Sequence, residues 1–155
     1  MEPTSIITLG VALGKMGGAL ALALSALGSG LGIGAAGSAA IGAWKKCYMQ
    51  NKPAPFIQLV VCIGAPITQT FYGMIVMTVK LLKMADDPTA YPACIAWGLF
   101  GGSAIGLSAW MQGKIAAAAA DAFAETGKGF TNYLMALGII ESVAIFVMVF
   151  ILVFA

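Results

Sequence analysis

The predominantly apolar run from Leu134 to Phe154 contains a single charged residue, Glu141. The run is long enough to cross a bilayer as a helix. A charged group at the bilayer centre costs ~2.5–3.5 kcal/mol on insertion scales, so it marks a functional site by default. The other acidic residues, Glu2, Asp86, Asp87, Asp121 and Glu125, fall at expected helix ends or loops. Glu141 alone has no route to water unless the protein supplies one.

The rest of the composition fits a membrane chain. Of 155 residues, 61% are hydrophobic and 9% charged, where a soluble domain would carry about a quarter charged. At ~20 residues per crossing, four spans use most of the chain and leave no room for a soluble catalytic domain. The net charge of +2 is too small for nucleic-acid binding. Every basic residue is lysine, so no arginine fork is available for phosphate. Histidine is absent, which removes the commonest metal ligand and the usual general base. Cys47, Cys62 and Cys94 are widely spaced and read as reduced thiols, with Cys62 an apolar filler inside a span. The N-terminus does not read as a signal peptide, because the apolar run beyond Lys15 continues far past the length of one.

Punctuation divides the chain into four apolar segments. The first runs from about Leu9 to Trp44 and is expected to stop at Lys45-Lys46. A polar loop over Cys47 to Pro53 leads to the second, about Pro55 to Leu82. A turn with Asp86, Asp87 and Pro88 follows. The third runs from about Ala90 to Phe123, and a turn over Ala124 to Gly129 precedes the fourth. The expected fold is all-α: four transmembrane helices as two fused hairpins, residues 1–83 and 84–155. Several spans exceed ~20 residues, which predicts tilt or projection beyond the bilayer. Lys45, Lys46, Lys52, Lys114 and Lys128 outnumber Lys15, Lys80 and Lys83 on the opposite side. The positive-inside rule therefore puts both hairpin loops in the cytoplasm.

The first segment carries Gly28, Gly30, Gly32, Gly34 and Gly37. Gly28/Gly32 and Gly30/Gly34 are G-x-x-x-G pairs, and small residues let helix backbones approach closely in lipid. Glycines on more than one face imply several neighbours, as on the inside of a closed ring. The third segment repeats the theme with Gly98, Gly101, Gly102, Gly106 and Gly113. The second and fourth are bulkier, as expected of an outer layer. Gly32 to Gly37 also spell a formal G-x-G-x-x-G. No strand precedes it and no acidic residue follows at the ribose-binding distance, which rules out a dinucleotide site.

In the second segment, Ala65, Thr68, Gln69 and Tyr72 share one helical stripe. Pro66 lacks an N–H, so a carbonyl one turn earlier is left free. Gln112 and Glu141 lie at similar distances from the last turn, and Gln69 at a comparable depth from its own loop. Thr68, Gln69 and Tyr72 alone would serve equally as helix glue. Convergence with Gln112 and Glu141 favours a site of hard oxygen donors, suited to a hard cation and not to zinc or copper. Glu141 can be held neutral in two ways, by a proton or by a monovalent cation with amide and hydroxyl oxygens completing its shell. The loaded form can cross lipid, while the unloaded form must stay near a polar channel or a fixed positive charge.

At these residues the chain resembles the proteolipid rotor subunit, K or c, of V-type and archaeal-type rotary ATPases. Pro66-Ile-Thr-Gln-Thr-Phe-Tyr-Gly73 is similar to the P-x-T-Q-x-x-Y-G pattern of sodium-type bacterial K subunits, and Gln112-Gly-Lys-Ile-Ala-Ala-Ala118 to their Q-G-K-V-A-A-A segment. The resemblance implies Na⁺ ligation by the Ala65 carbonyl, Thr68, Gln69, Gln112 and Glu141, with Tyr72 hydrogen-bonding Glu141 to close the site. The family usually has a larger apolar residue at Ala65. Where the first hairpin could carry its own carboxylate stands Gln69, which implies one ion per four helices.

The expected function is therefore a homo-oligomeric rotor ring that moves Na⁺ (or H⁺) as a peripheral ATPase turns it, with ATP handled by other subunits. Its implied partners are a membrane stator subunit with a positive residue, central-stalk subunits and lipid, in a prokaryotic plasma membrane. No organic cofactor and no nucleic acid enter this reading. The rival from another class is a small secondary transporter exchanging H⁺ for an organic cation at Glu141. It would need a cavity lined by Trp97, Trp110 and Tyr133, which read better as interfacial or packing aromatics.

Overall fold

The computed structural model describes residues 3–155, and Glu2 lies outside them. Four long helices account for nearly all of it: α1 (Pro3–Met49), α2 (Phe56–Met84), α3 (Tyr91–Thr126) and α4 (Phe130–Phe154). No strand occurs among the described residues. All four helices are long and apolar enough to cross a membrane, as expected of an integral multi-pass protein. The 47 residues of α1 extend about 70 Å at ~1.5 Å per residue, against a hydrocarbon core of ~30 Å. It must project well beyond the bilayer.

Each helix stops for a local reason. Past Met49, Asn51 takes a left-handed backbone (φ 51°) and the Lys52 N–H donates to the Cys47 carbonyl at 3.0 Å. This is the geometry of a Schellman stop, in which asparagine often replaces glycine. The expected end at Lys45-Lys46 is thus corrected, for α1 runs through both lysines to Met49. Lysine near a helix C-terminus complements the helix dipole instead of ending the helix. In the next turn Asp87 accepts from the Thr89 N–H and hydroxyl, at 2.8 and 2.7 Å. These bonds hold the Asp87 carboxyl below its ordinary range. Gly127 (φ 65°) ends α3 with its N–H on the Phe123 carbonyl, and Gly129 (φ 85°) precedes α4.

The helices form two layers. α1 and α3 make the most extensive pairing, while α2 packs on α1 and α4 on α3. Glycines set the first layer. Gly17 lies against Gly98, Gly28 against Gly106, and Gly32 against Ala109 and Gly113; a Cβ added at any of these glycines would collide with the facing backbone. Lipid gives little hydrophobic drive for helix association, so this close van der Waals approach is what holds the pair. The five glycines of α1 singled out in the sequence therefore divide in two. Gly28 and Gly32 are taken up within the chain, whereas Gly30, Gly34 and Gly37 have nothing within 4 Å of an added Cβ.

α2 is irregular where it matters. Around Pro66 it tightens into a 3₁₀ turn over Ala65–Ile67, and it widens into a π-helical stretch over Val76–Leu81. Buried apolar clusters lie on either side of its polar stripe. One gathers Ala21, Val76, Leu81, Ile105, Ala144 and Ile151; the other gathers Ala36, Cys62, Ala116, Ala119 and Leu137. Cys47, Cys62 and Cys94 are free thiols and buried. At the loop end, where α1 and α3 outrun the ~30 Å hydrocarbon core, Lys46 pairs with Glu125 and joins the two helix ends.

Two outcomes follow from this packing. Gly113→Leu should destabilise the folded subunit by about 3 kcal/mol or more, the upper range for overpacking, while Gly30→Leu should leave it within about 0.5 kcal/mol. Thermal unfolding of the solubilised protein checks both. Lys46 holds the Glu125 carboxyl below its ordinary value of 4.5, chiefly through their hydrogen bond. That contribution is complete above the unfolded-state value and disappears as pH falls through the depressed folded one. Glu125→Gln should flatten this acid-side step in a pH-unfolding profile, and only at low salt, since the pair is exposed.

Candidate functional site

Between the two apolar clusters, α2, α3 and α4 bring their polar side chains to one level. On α2, Pro66 cannot donate a backbone N–H, and the resulting 3₁₀ turn draws the Thr68 N–H onto the Ala65 carbonyl. The Thr68 hydroxyl reaches the same carbonyl at 3.0 Å and the Gln69 Oε1 at 3.1 Å. Gln69 is fully buried, and its Nε2 donates to Gln112 Oε1 at 2.9 Å. Gln112, also fully buried, donates from Nε2 to the Leu137 carbonyl at 3.0 Å and to Glu141 Oε2 at 3.2 Å. The Tyr72 hydroxyl donates to Glu141 Oε1 at 2.7 Å.

Glu141 thus receives one hydrogen bond on each carboxylate oxygen, a phenol from α2 and an amide from α3. The carboxylate is part-buried, so it sits at the rim of the cluster and the two amides form its floor. Oxygens of Ala65, Thr68, Gln69, Gln112 and Glu141 belong to one continuous chain of hydrogen bonds. Such a group is chemically apt for a hard monovalent cation and offers nothing to a soft one. All six residues expected from the sequence are therefore brought together.

Ser108 was not anticipated. Its hydroxyl donates to the Ile140 carbonyl at 2.7 Å, one residue before Glu141. It lies four residues before Gln112, on the same face of α3. Side chains of α3 thus grip two α4 carbonyls, of Leu137 and Ile140, on either side of the turn that leads into Glu141. The i, i+4 spacing to Gln112 was the signal that could have found it.

Four helices long and apolar enough to cross a membrane, with the Glu141 carboxylate held between a phenol and an amide, define a small multi-pass membrane protein with a polar site among its helices. Residues 94–154 match the family model for the C subunit of ATP synthase. Over 120 residues, 76% of this chain, it is 34% identical to the A-type ATP synthase subunit K of Methanocaldococcus jannaschii. Those residues make up 50% of that protein, so the chain spans about half the length of the curated relative it matches. Both matches liken the chain to the c- and K-type proteolipid subunits of ATP synthases.

Because the Tyr72 hydroxyl satisfies Glu141 Oε1, Tyr72→Phe should loosen the carboxyl group without unfolding the bundle. Carbodiimide labelling of Glu141 should accelerate about threefold or more, as expected for losing one hydrogen bond to an acidic group. An unchanged labelling rate would mean that the phenol does not guard the carboxylate.

Proposed function

We propose that this chain is the repeating subunit of a homo-oligomeric rotor ring in a rotary ATPase, and that it carries Na⁺ (or H⁺) on Glu141 as ATP is hydrolysed elsewhere. The observation that carries this reading is the oxygen cluster centred on Glu141, set inside membrane-spanning helices of a c/K-type chain. In this reading the Ala65 carbonyl, Thr68, Gln69, Gln112 and Glu141 ligate the ion, and Tyr72 closes the site. The subunit itself performs no nucleotide chemistry. Its two hairpins, residues 1–83 and 84–155, carry one ion between them, because Gln69 stands where the first could hold an acid.

An ionised, empty Glu141 facing lipid is expensive, whereas a Na⁺-paired or protonated one is neutral. The loaded subunit therefore turns through lipid, and a positively charged stator residue displaces the ion where the ring meets it. Gly30, Gly34 and Gly37, whose face is open in the single chain, pack against the neighbouring subunit. Both hairpin loops face the cytoplasm of a prokaryotic cell, where they meet the central stalk.

Sodium is favoured over the proton because a proton needs only the carboxylate, while the amide and hydroxyl oxygens serve a hard cation. Purified rings labelled with a carbodiimide, which attacks the protonated acid, supply the test. Labelling of Glu141 should rise at low pH, and added Na⁺ should suppress it, with weaker apparent Na⁺ affinity as pH falls because both ions compete for one carboxylate. Glu141→Gln should leave rings intact by native mass and abolish transport. If Na⁺ never protects Glu141 at any pH at which the rings stay intact, the ion is the proton. Transport by the Glu141→Gln ring would overturn the site altogether.

A further inference from the structure

Behind the cluster, on the side of α1, lies a hydroxyl that nothing so far uses. Ser29 is 2% exposed, and its Oγ has no hydrogen-bond partner. The neighbouring Ser25, by contrast, donates to the Ala21 carbonyl of its own helix at 2.7 Å. Among the described residues, only the Trp44 Nε1 shares the condition of Ser29. A buried hydroxyl left unpaired is costly enough to call for a reason.

The helix register says what Ser29 faces. Ser25, Ser29 and Gly32 share one face of α1, and Pro66, Gln69 and Gly73 one face of α2. Gly73 packs on Ser25, and Gly32 packs on Pro66 with its would-be Cβ 2.9 Å from the proline ring. Between these two contacts Ser29 comes opposite Gln69. The Gln69 amide has two N–H donors, and the one hydrogen bond recorded from it goes to Gln112 Oε1. Gln112 Oε1 is also one of the oxygens a cation would draw on, and a carbonyl polarised toward a cation is a poorer acceptor for that N–H.

We propose that Ser29 is a positioning residue for cation loading: when the ion engages the Gln69 and Gln112 oxygens, the Gln69 Nε2 transfers its hydrogen bond from Gln112 to the Ser29 hydroxyl. The inference rests on the Na⁺ reading of the site. It extends the ion-binding unit from three helices to all four, because α1 then contributes the acceptor that frees Gln112 Oε1. Protonation of Glu141 makes no demand on Gln112 Oε1 and leaves Ser29 idle.

This asymmetry between the ions is the test. Ser29→Ala removes the hydroxyl and adds no volume, so rings should assemble normally by native mass. The Na⁺ concentration that half-protects Glu141 from the carbodiimide should rise about three- to tenfold, the worth of one hydrogen bond. The labelling rate without Na⁺ should not change. In a Gln69→Ala background the same substitution should have no further effect, since Ser29 acts only through that amide. An unshifted half-protection value would overturn the proposal while leaving Na⁺ binding in place. A shift that persists without Gln69, or an equal change in Na⁺-free labelling, would reduce Ser29 to packing. Absence of Na⁺ protection in the unsubstituted ring would remove both this proposal and the Na⁺ reading.

Discussion

A carboxylate placed among hydrocarbon needs a partner for each oxygen, and the arrangement of this bundle turns on meeting that need for Glu141. Water cannot do it at that depth, so three helices must deliver polar groups to one point. Tyr72 takes one carboxylate oxygen and Gln112 the other. The Gln112 amide is itself fixed by Gln69 and by the Leu137 carbonyl. None of these groups is free to shift independently. A fully connected polar network is stable in a low-dielectric interior, while a half-connected one costs more than an apolar core.

That network requires helices close enough for short side chains to meet, and the glycine seam provides the closeness. With Gly28, Gly32, Gly106 and Gly113 in backbone contact, α1 and α3 act as one stiff slab. α2 and α4 are then carried on neighbouring faces of the slab, which brings Tyr72 within hydrogen-bonding reach of Glu141. The 3₁₀ turn at Pro66 belongs to the same arrangement. It draws Thr68 onto the Ala65 carbonyl and gathers two α2 oxygens beside Gln69. Apolar clusters on both sides keep the polar level narrow.

Much of this was legible in the residues because its signals are periodic or singular. Glu141 stands out as the lone charge of its run, and the Ala65/Thr68/Gln69/Tyr72 stripe follows from helical spacing alone. Depth matching from the turns was enough to align Gln112 with Glu141. What escaped the sequence depends on which way a residue faces across an interface. Lys45-Lys46 looked like a stop, but Asn51 carries the backbone conformation that ends α1. The Ser108 hydroxyl meets the Ile140 carbonyl only because α3 packs its Gln112 face on α4. Five closely spaced glycines read as lying on more than one face, and the packing shows that Gly28 and Gly32 meet α3 while Gly30, Gly34 and Gly37 do not.

This separation carries a physical consequence for α1. A helix with glycine on a single face can seal one close contact, and its other faces must rely on bulkier side chains. Here the face that meets α3 is consumed inside the chain, yet a second face of the same helix stays equally smooth and open. Glycine in a helix interior costs roughly 0.5–1 kcal/mol relative to alanine through backbone entropy. Gly28 and Gly32 recover that cost in the seam. Gly30, Gly34 and Gly37 recover nothing within one chain, so their cost is offset only where another backbone comes as near to α1 as α3 does. The chain is thus paired internally around Glu141 and left open along one glycine face of α1.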